Sequence, residues 1–140
     1  MAINNGEEVT MTKKVLNVED DPDIRTFVST VVEENGYIPI LAKDGEEGMK
    51  KVREEPPDLI ILDILMPKES GIKMYHELKI DPDLKDIPVV MLSAISKRTF
   101  LRSQAALDEF GNENIPEPQA YLEKPVEPED LAKNLKKILG

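Results

Sequence analysis

A chain of 140 residues suits one domain and is long enough to bury a hydrophobic core. With 28 acidic against 18 basic residues it has a net charge of −10, which argues against direct binding to nucleic acid or an anionic membrane, since both require a basic patch. It has no cysteine, which excludes disulfides, thiolate metal sites and thiol catalysis and fits a reducing cytoplasm.

No apolar run approaches the roughly 20 residues that cross a bilayer. The opening MAINNGEEVTMTKK also lacks the apolar stretch of a secretory signal. Residues 1–12 read as a flexible tail, with Met11 as an alternative start, and 13–140 as the domain. Val15 to Val18 is a short β-branched run that stops on Glu19, Asp20 and Asp21. Pro22 then opens a helix, where its missing N–H would be unpaired anyway, and Asp21 is placed to cap it. Ile24, Phe27, Val28, Val31 and Val32 form one apolar stripe at helical spacing, and Asn35-Gly36 supplies the stop. Tyr37 to Leu41 reads as the second strand. Glu46 to Glu54 reads as a charged helix with Met49 and Val52 inward, ended by Pro56-Pro57.

Leu59 to Leu62 follows, apolar on both faces as a strand in a buried parallel sheet would be, and it ends abruptly on Asp63. A short helix is expected over Ile72 to Leu78, with Met74, Tyr75 and Leu78 inward, and then a turn-rich connection, DPDLKDIP. The strand VVML ends on Ser93-Ala94. Lys97 to Phe110 is expected to be helical, and Gly111 to Gln119, with two prolines and no apolar period, to be a loop. Ala120 to Leu122 is the last strand, with its exit at Glu123, Lys124 and Pro125. A final helix runs from about Glu127 to Leu139, with Leu131, Leu135, Ile138 and Leu139 inward. Five strands alternating with five helices predict a doubly wound parallel sheet with helices on both faces.

Strand exits therefore bring Glu19 with Asp20, Asp63, Ser93 and Lys124 to one edge. With the first strand central and flanked by the second and third, those exits line the crevice where strand order reverses. Carboxylates packed there would repel by roughly 4 kcal/mol per pair at 4 Å and an effective dielectric of 20. Lys124 supplies one positive charge, and a hard divalent ion such as Mg²⁺, held by one or two carboxylates and several waters, would supply the rest. Acidic groups, Mg²⁺, a lysine and a hydroxyl together suit the binding of a phosphoryl group.

In these residues the chain resembles the receiver domain of two-component response regulators. VEDDPDIR is similar to its acidic motif, LIILDILMPKESG to its phosphoacceptor motif, VVMLSA to its switch-hydroxyl motif and YLEKPV to its lysine-proline motif. The match covers nearly all of Lys14 to Gly140. The resemblance implies strand order 2-1-3-4-5. It also implies that Asp63 accepts phosphate from a histidine kinase or a histidine phosphotransfer protein. Asp20, Asp63 and the Leu65 carbonyl would bind Mg²⁺ directly, and Glu19 through water. Lys124 would pair with the phosphate, while the Ser93 hydroxyl and the Ala94 N–H would close on it. Tyr121 matches the aromatic that turns inward with the hydroxyl, and Lys124-Pro125 matches a bond that is usually cis. The expected partners are a kinase or phosphotransfer protein, a downstream protein target and a second copy in a homodimer, with no direct nucleic acid or membrane contact.

The chain also departs from the family pattern. Ser93 replaces the commoner threonine, and Val126 the frequent aromatic. The span from Ser93 to Lys124 is 31 positions (124 − 93), longer than usual, so Lys97 to Gln119 is expected to be its most distinctive interaction surface. His76, the only histidine, reads as a surface residue and not as a phosphate donor. A phosphohydrolase of the haloacid dehalogenase type needs an aspartate two residues after the first, where this chain has Leu65. A flavin carrier has a phosphate loop rich in Ser, Thr and Gly after its first strand, where EDDPD would repel phosphate. The remaining rival is a receiver-like binding module that is never phosphorylated.

Overall fold

The computed structural model describes residues 12–67, 70–102 and 115–140. Along the chain these form β1 (Lys14–Val18), α1 (Pro22–Glu34), β2 (Ile38–Ala42), α2 (Gly45–Glu54), β3 (Leu59–Leu62), α3 (Ser70–Ile80) and β4 (Val89–Ser93). There follow α4, described over 97–102, β5 (Ala120–Glu123) and α5 (Pro128–Leu139). The strands are all parallel, in the order β2-β1-β3-β4-β5. This is the expected doubly wound sheet, with its reversal of order between β1 and β3. The tail expected over 1–12 lies outside the described residues up to residue 11. So do residues 103–114, which include the expected end of the fourth helix and the first part of the loop after it.

Burial follows strand position. β3 and β4 are buried along their whole length, whereas the edge strands β2 and β5 are only partly covered. Alternate residues feed two cores. Leu16, Val18, Ile60, Leu62 and Met91 meet α2, α3 and Phe100 of α4 on one face. Val15, Leu59, Ile61, Val90 and Leu92 meet Val28, Val31 and Val32 of α1 and Leu131, Leu135 and Leu139 of α5 on the other. Each such fully buried aliphatic side chain contributes about 1.5–3 kcal/mol through the hydrophobic effect.

The start of α1 follows its sequence signals. Asp21 accepts from the Asp23 N–H at 2.9 Å and the Ile24 N–H at 3.3 Å, satisfying amides that a helix start leaves unpaired. At the other end Gly36 has φ of 88°, a conformation that a side chain disfavours. Phe27, expected within the apolar stripe, is 36% exposed at its edge. α3 is two residues longer at each end than Ile72 to Leu78. Gly71 permits this at the front: a Cβ there would lie 2.2 Å from the Asp63 carbonyl oxygen and 2.6 Å from the Ile64 Cα. The first turn of α3 is thus pressed against the backbone leaving β3, and that backbone carries Asp63. Both tyrosine and methionine of α3, Tyr75 and Met74, are buried as expected.

Candidate functional site: an acidic crevice at the strand exits

Each candidate residue is held by extending the ladder of its own strand. The Glu19 N–H donates to the Ala42 carbonyl at 3.0 Å, the Asp63 N–H to the Val18 carbonyl at 3.0 Å and the Lys124 N–H to the Ser93 carbonyl at 2.7 Å. The site backbone therefore has the rigidity of the sheet, although its side chains project past the sheet's end. Arg25 of α1 adds a clamp, donating to the Glu19 carbonyl at 2.8 Å. Asn17, 1% exposed in the middle of β1, donates from Nδ2 to the Arg25 carbonyl at 3.2 Å and so ties the same turn of α1 to the sheet. Neither residue has an expected role in the sequence motifs. The signal available was one amide inside an apolar strand, together with an arginine one turn into the helix.

Glu19 and Asp63 are almost fully buried, at 1% and 3% exposure, while Asp20 is exposed. One carboxylate oxygen from each of the three lies within 4.8 Å of the others. At that separation each ionised pair repels by roughly 3–4 kcal/mol at an effective dielectric of 20. Lys124 Nζ sits between two of them, 3.1 Å from Glu19 Oε1 and 3.3 Å from Asp63 Oδ2. Glu19 Oε2 accepts the Asp21 N–H at 3.2 Å, and Asp63 Oδ1 the Leu65 N–H at 3.0 Å. Burial, then the charge of Asp63, pushes the Glu19 carboxyl up to about 7, against the opposing pull of Lys124. Burial alone would lower the Lys124 ammonium, but the attraction of Asp63 and Glu19 outweighs it and holds the group above its ordinary value.

Among the described residues, one ammonium against three carboxylates leaves the crevice short of positive charge. The donor set is all oxygen, with no imidazole or thiolate, so it fits a hard divalent cation such as Mg²⁺. Burial first, and the charge of Asp63 second, raise the Glu19 carboxyl, and Lys124 offsets them only in part.

Ser93 ends β4 with no exposed surface, and its hydroxyl accepts the Ile95 N–H at 3.2 Å. Ala94 is exposed beside it. The Tyr121 phenol donates to the Ile95 carbonyl at 2.8 Å. Burial raises its pKa, hydrogen bonding with Ser93 lowers it, and the charges of Glu123 and Asp63 raise it further. Tyr121 and Ser93 thus flank the same loop. Leu65, two residues past Asp63, is 49% exposed at the rim. The Lys124-Pro125 peptide is cis, as the lysine-proline motif implied. His76, read as a surface residue, is half-buried on α3. No helix among the described residues is long and apolar enough to cross a membrane.

Comparison with known proteins gives the same assignment by an independent route. The family model for the response regulator receiver domain matches residues 15–136. The chain is 34% identical over 129 residues to the phosphate regulon transcriptional regulatory protein PhoB of Escherichia coli, covering 92% of this chain and 52% of that protein. It is 32% identical over 130 residues to the polar-differentiation response regulator DivK of Brucella ovis, covering 93% of this chain and 98% of that one. Among solved structures, chemotaxis protein CheY4 of Vibrio cholerae superposes with a TM-score of 0.77 at 29% identity, covering 91% of this chain and 99% of the other. The chain spans about half the length of PhoB and of similar regulators that it matches, and nearly all of DivK. Motifs, strand order and family match coincide, and the chain belongs to the response regulator receiver domains, a family of signalling modules.

Proposed function

We propose that this receiver accepts a phosphoryl group on Asp63 from a sensor histidine kinase or a histidine phosphotransfer protein, in a Mg²⁺-dependent reaction, and thereby switches its control of a downstream protein. The observation that carries this reading is the charge deficit of the crevice, where among the described residues Lys124 alone answers Glu19, Asp20 and Asp63. In the reaction an Asp63 carboxylate oxygen bonds to phosphorus as the bond from phosphorus to the donor imidazole nitrogen breaks. Asp63 is then an acyl phosphate. Asp20, Asp63 and the Leu65 carbonyl would hold Mg²⁺ directly and Glu19 through water. When bound, the ion supplies the positive charge that lets anionic donor and anionic acceptor approach.

Lys124, already within 3.3 Å of Asp63, pairs with the new phosphoryl oxygens, which add about −1.5 to −2 charge. The Ser93 hydroxyl gives up the Ile95 N–H and turns to those oxygens, joined by the Ala94 N–H. This moves the loop after β4 and draws Tyr121 inward. Phosphate thereby stabilises whichever arrangement makes these contacts, a shift between two states. The domain catalyses only its own phosphorylation and dephosphorylation. Its composition, lacking cysteine and a basic surplus, fits a cytoplasmic setting and protein partners in place of direct contact with nucleic acid or membrane, and a second copy of the chain is one partner to test.

The test is to treat the chain with acetyl phosphate or a kinase in Mg²⁺ and measure hydroxylamine-sensitive phosphate. Asp63→Asn should abolish the label, and chelation should prevent it in the wild type. Label that persisted in Asp63→Asn would overturn the assignment of the acceptor. A wild type that never took up label would instead leave a binding module without a phosphoryl switch.

A further inference from the structure

The chain has three tyrosines, three phenylalanines and no tryptophan, and half of these rings stand in one row. The ring of Phe100 on α4 lies 5.4 Å from that of Tyr121 on β5, with the planes inclined at 37°. It also lies 6.4 Å from the ring of Tyr75 on α3, edge-on at 72°. Phe100 and Tyr75 are each 1% exposed. Both ends of the row finish on a backbone carbonyl. The Tyr121 phenol donates to Ile95, in the loop two residues past Ser93, and the Tyr75 phenol donates to Pro116 at 2.5 Å. Pro116 belongs to the segment before β5, within the unusually long connection from Ser93 to Lys124.

Such a row transmits displacement. Aromatic rings are rigid, and protein interiors are packed too tightly to absorb a shift by local slack. The 115–118 segment is also tied at neighbouring points: Ile115 packs on the core that holds Phe100, and Glu117 pairs with Lys97 of α4 at 3.8 Å. Burial, with the charge of Glu117, pushes the Tyr75 phenol up, so it remains a donor at neutral pH.

We propose that Phe100 and Tyr75 are positioning residues that couple the loop after β4 to the 115–118 segment, so that movement of Tyr121 is delivered to Pro116 and the surface around it. The trigger rests on the phosphorylation reading above, but the coupling does not. A Tyr121 that turns inward leaves the Ile95 carbonyl and withdraws from one face of Phe100. Phe100 and Tyr75 then repack, and the hydrogen bond to Pro116 moves with them. Packed elements of this kind shift between discrete arrangements, which turns a small change at Ser93 into a change of surface.

Two measurements on the whole chain test the coupling by amide NMR. In the metal-free, unphosphorylated protein, Tyr121→Phe removes one terminal hydroxyl. The resonances of Ile115 and Glu117 at the far end should shift, and that response should vanish when the same change is made in a Phe100→Leu background. Tyr75→Phe removes one oxygen and no packing, so it preserves the test should Phe100→Leu fail to fold. On addition of Mg²⁺ and acetyl phosphate, wild type should change at both Ile95 and Glu117, whereas Tyr75→Phe should change at Ile95 only. Ile115 and Glu117 resonances that ignore Tyr121→Phe in the wild type, or that respond equally in all backgrounds, would overturn the proposal. A wild type that is not phosphorylated would count against the phosphorylation reading alone, because the metal-free measurement still decides the coupling.

Discussion

The acidic crevice and the aromatic row meet at the loop after β4, and they are stabilised in opposite ways. In the row, Tyr75 and Phe100 are buried, both phenols have acceptors and the rings fill the space between α3, α4 and β5. In the crevice, two buried carboxylates share one lysine and a third stands beside them. The row is a packed part of the core whose polar groups are satisfied. The crevice is held by sheet hydrogen bonds in a geometry that its own charges oppose, so a bound cation would relieve repulsion there. On the reading proposed above, the unsatisfied site responds and the satisfied row carries the response.

The sharpest way to break this contrast is to compare deletions in the two regions by urea denaturation in chelator. Phe100→Ala should cost about 3–5 kcal/mol, the usual loss for emptying a buried aromatic site. Asp63→Asn should raise stability, since it removes one of the repelling charges while the amide oxygen can still accept the Leu65 N–H. If Asp63→Asn destabilised the fold as Phe100→Ala does, the crevice would be a structural ion pair and not a strained site.

The border between the regions can be probed at Gly71. An added Cβ would collide with the Asp63 carbonyl oxygen at 2.2 Å, so Gly71→Ala should cost about 1–3 kcal/mol through overpacking. It should also weaken Mg²⁺ binding, because the displaced backbone carries Asp63, a proposed ligand. Calorimetric titration showing wild-type Mg²⁺ affinity in a destabilised Gly71→Ala would separate α3 packing from the site.

A smaller effect sharpens the electrostatic half. The Glu19 carboxyl rises from 4.5 to about 7 on folding, so the folded chain holds an extra proton between those values. Its contribution to stability is complete below about pH 4.5 and is lost as pH rises through about 7. In chelator the thermal midpoint should therefore fall from pH 5 to pH 8. Glu19→Gln should flatten that slope, and Mg²⁺ should restore the midpoint at pH 8. A slope unchanged in Glu19→Gln would assign the pH dependence to other carboxylates.

The smallest effect on the fold concerns the rim. Leu65 is half exposed and Ile95 partly so, and neither side chain can hydrogen-bond a water approaching Asp63 in line. Leu65→Asn with Ile95→Glu should change stability by no more than about 0.5 kcal/mol. It should speed loss of phosphate several-fold, since one well-placed hydrogen bond is worth about 1 kcal/mol. Equal release rates in excess Mg²⁺ would show that these positions do not control water access.

Much of this architecture is legible in the chain because the physics is local. Pro22 behind Asp21, Asn35-Gly36 and the prolines after α2 mark helix ends through groups only a few residues apart. The doubly apolar LIIL run announces a central strand, and the abrupt stops at Glu19, Asp63, Ser93 and Lys124 mark the crevice once the alternation implies a parallel sheet. The family motifs add the strand order and an expected role for each of those residues. Boundaries that depend on packing are less legible: α3 extends beyond Ile72 to Leu78 because Gly71 lets its first turn lie against β3's exit.

What the tertiary structure alone decides is how distant groups set one another's energy. Lys124 reaches Asp63 across 61 positions and Glu19 across 105, and the raised Glu19 follows from burial at their meeting point, which no local pattern encodes. Likewise Tyr75, Phe100 and Tyr121 read along the chain as separate apolar positions on different elements. Their row, and its hydrogen bonds to Ile95 and Pro116, exists only because α3 and α4 pack on the face of the sheet where Tyr121 of β5 meets the same core. Residue type and spacing determine which elements form and which groups reach an edge, whereas burial and charge compensation depend on every neighbour that the fold brings into place.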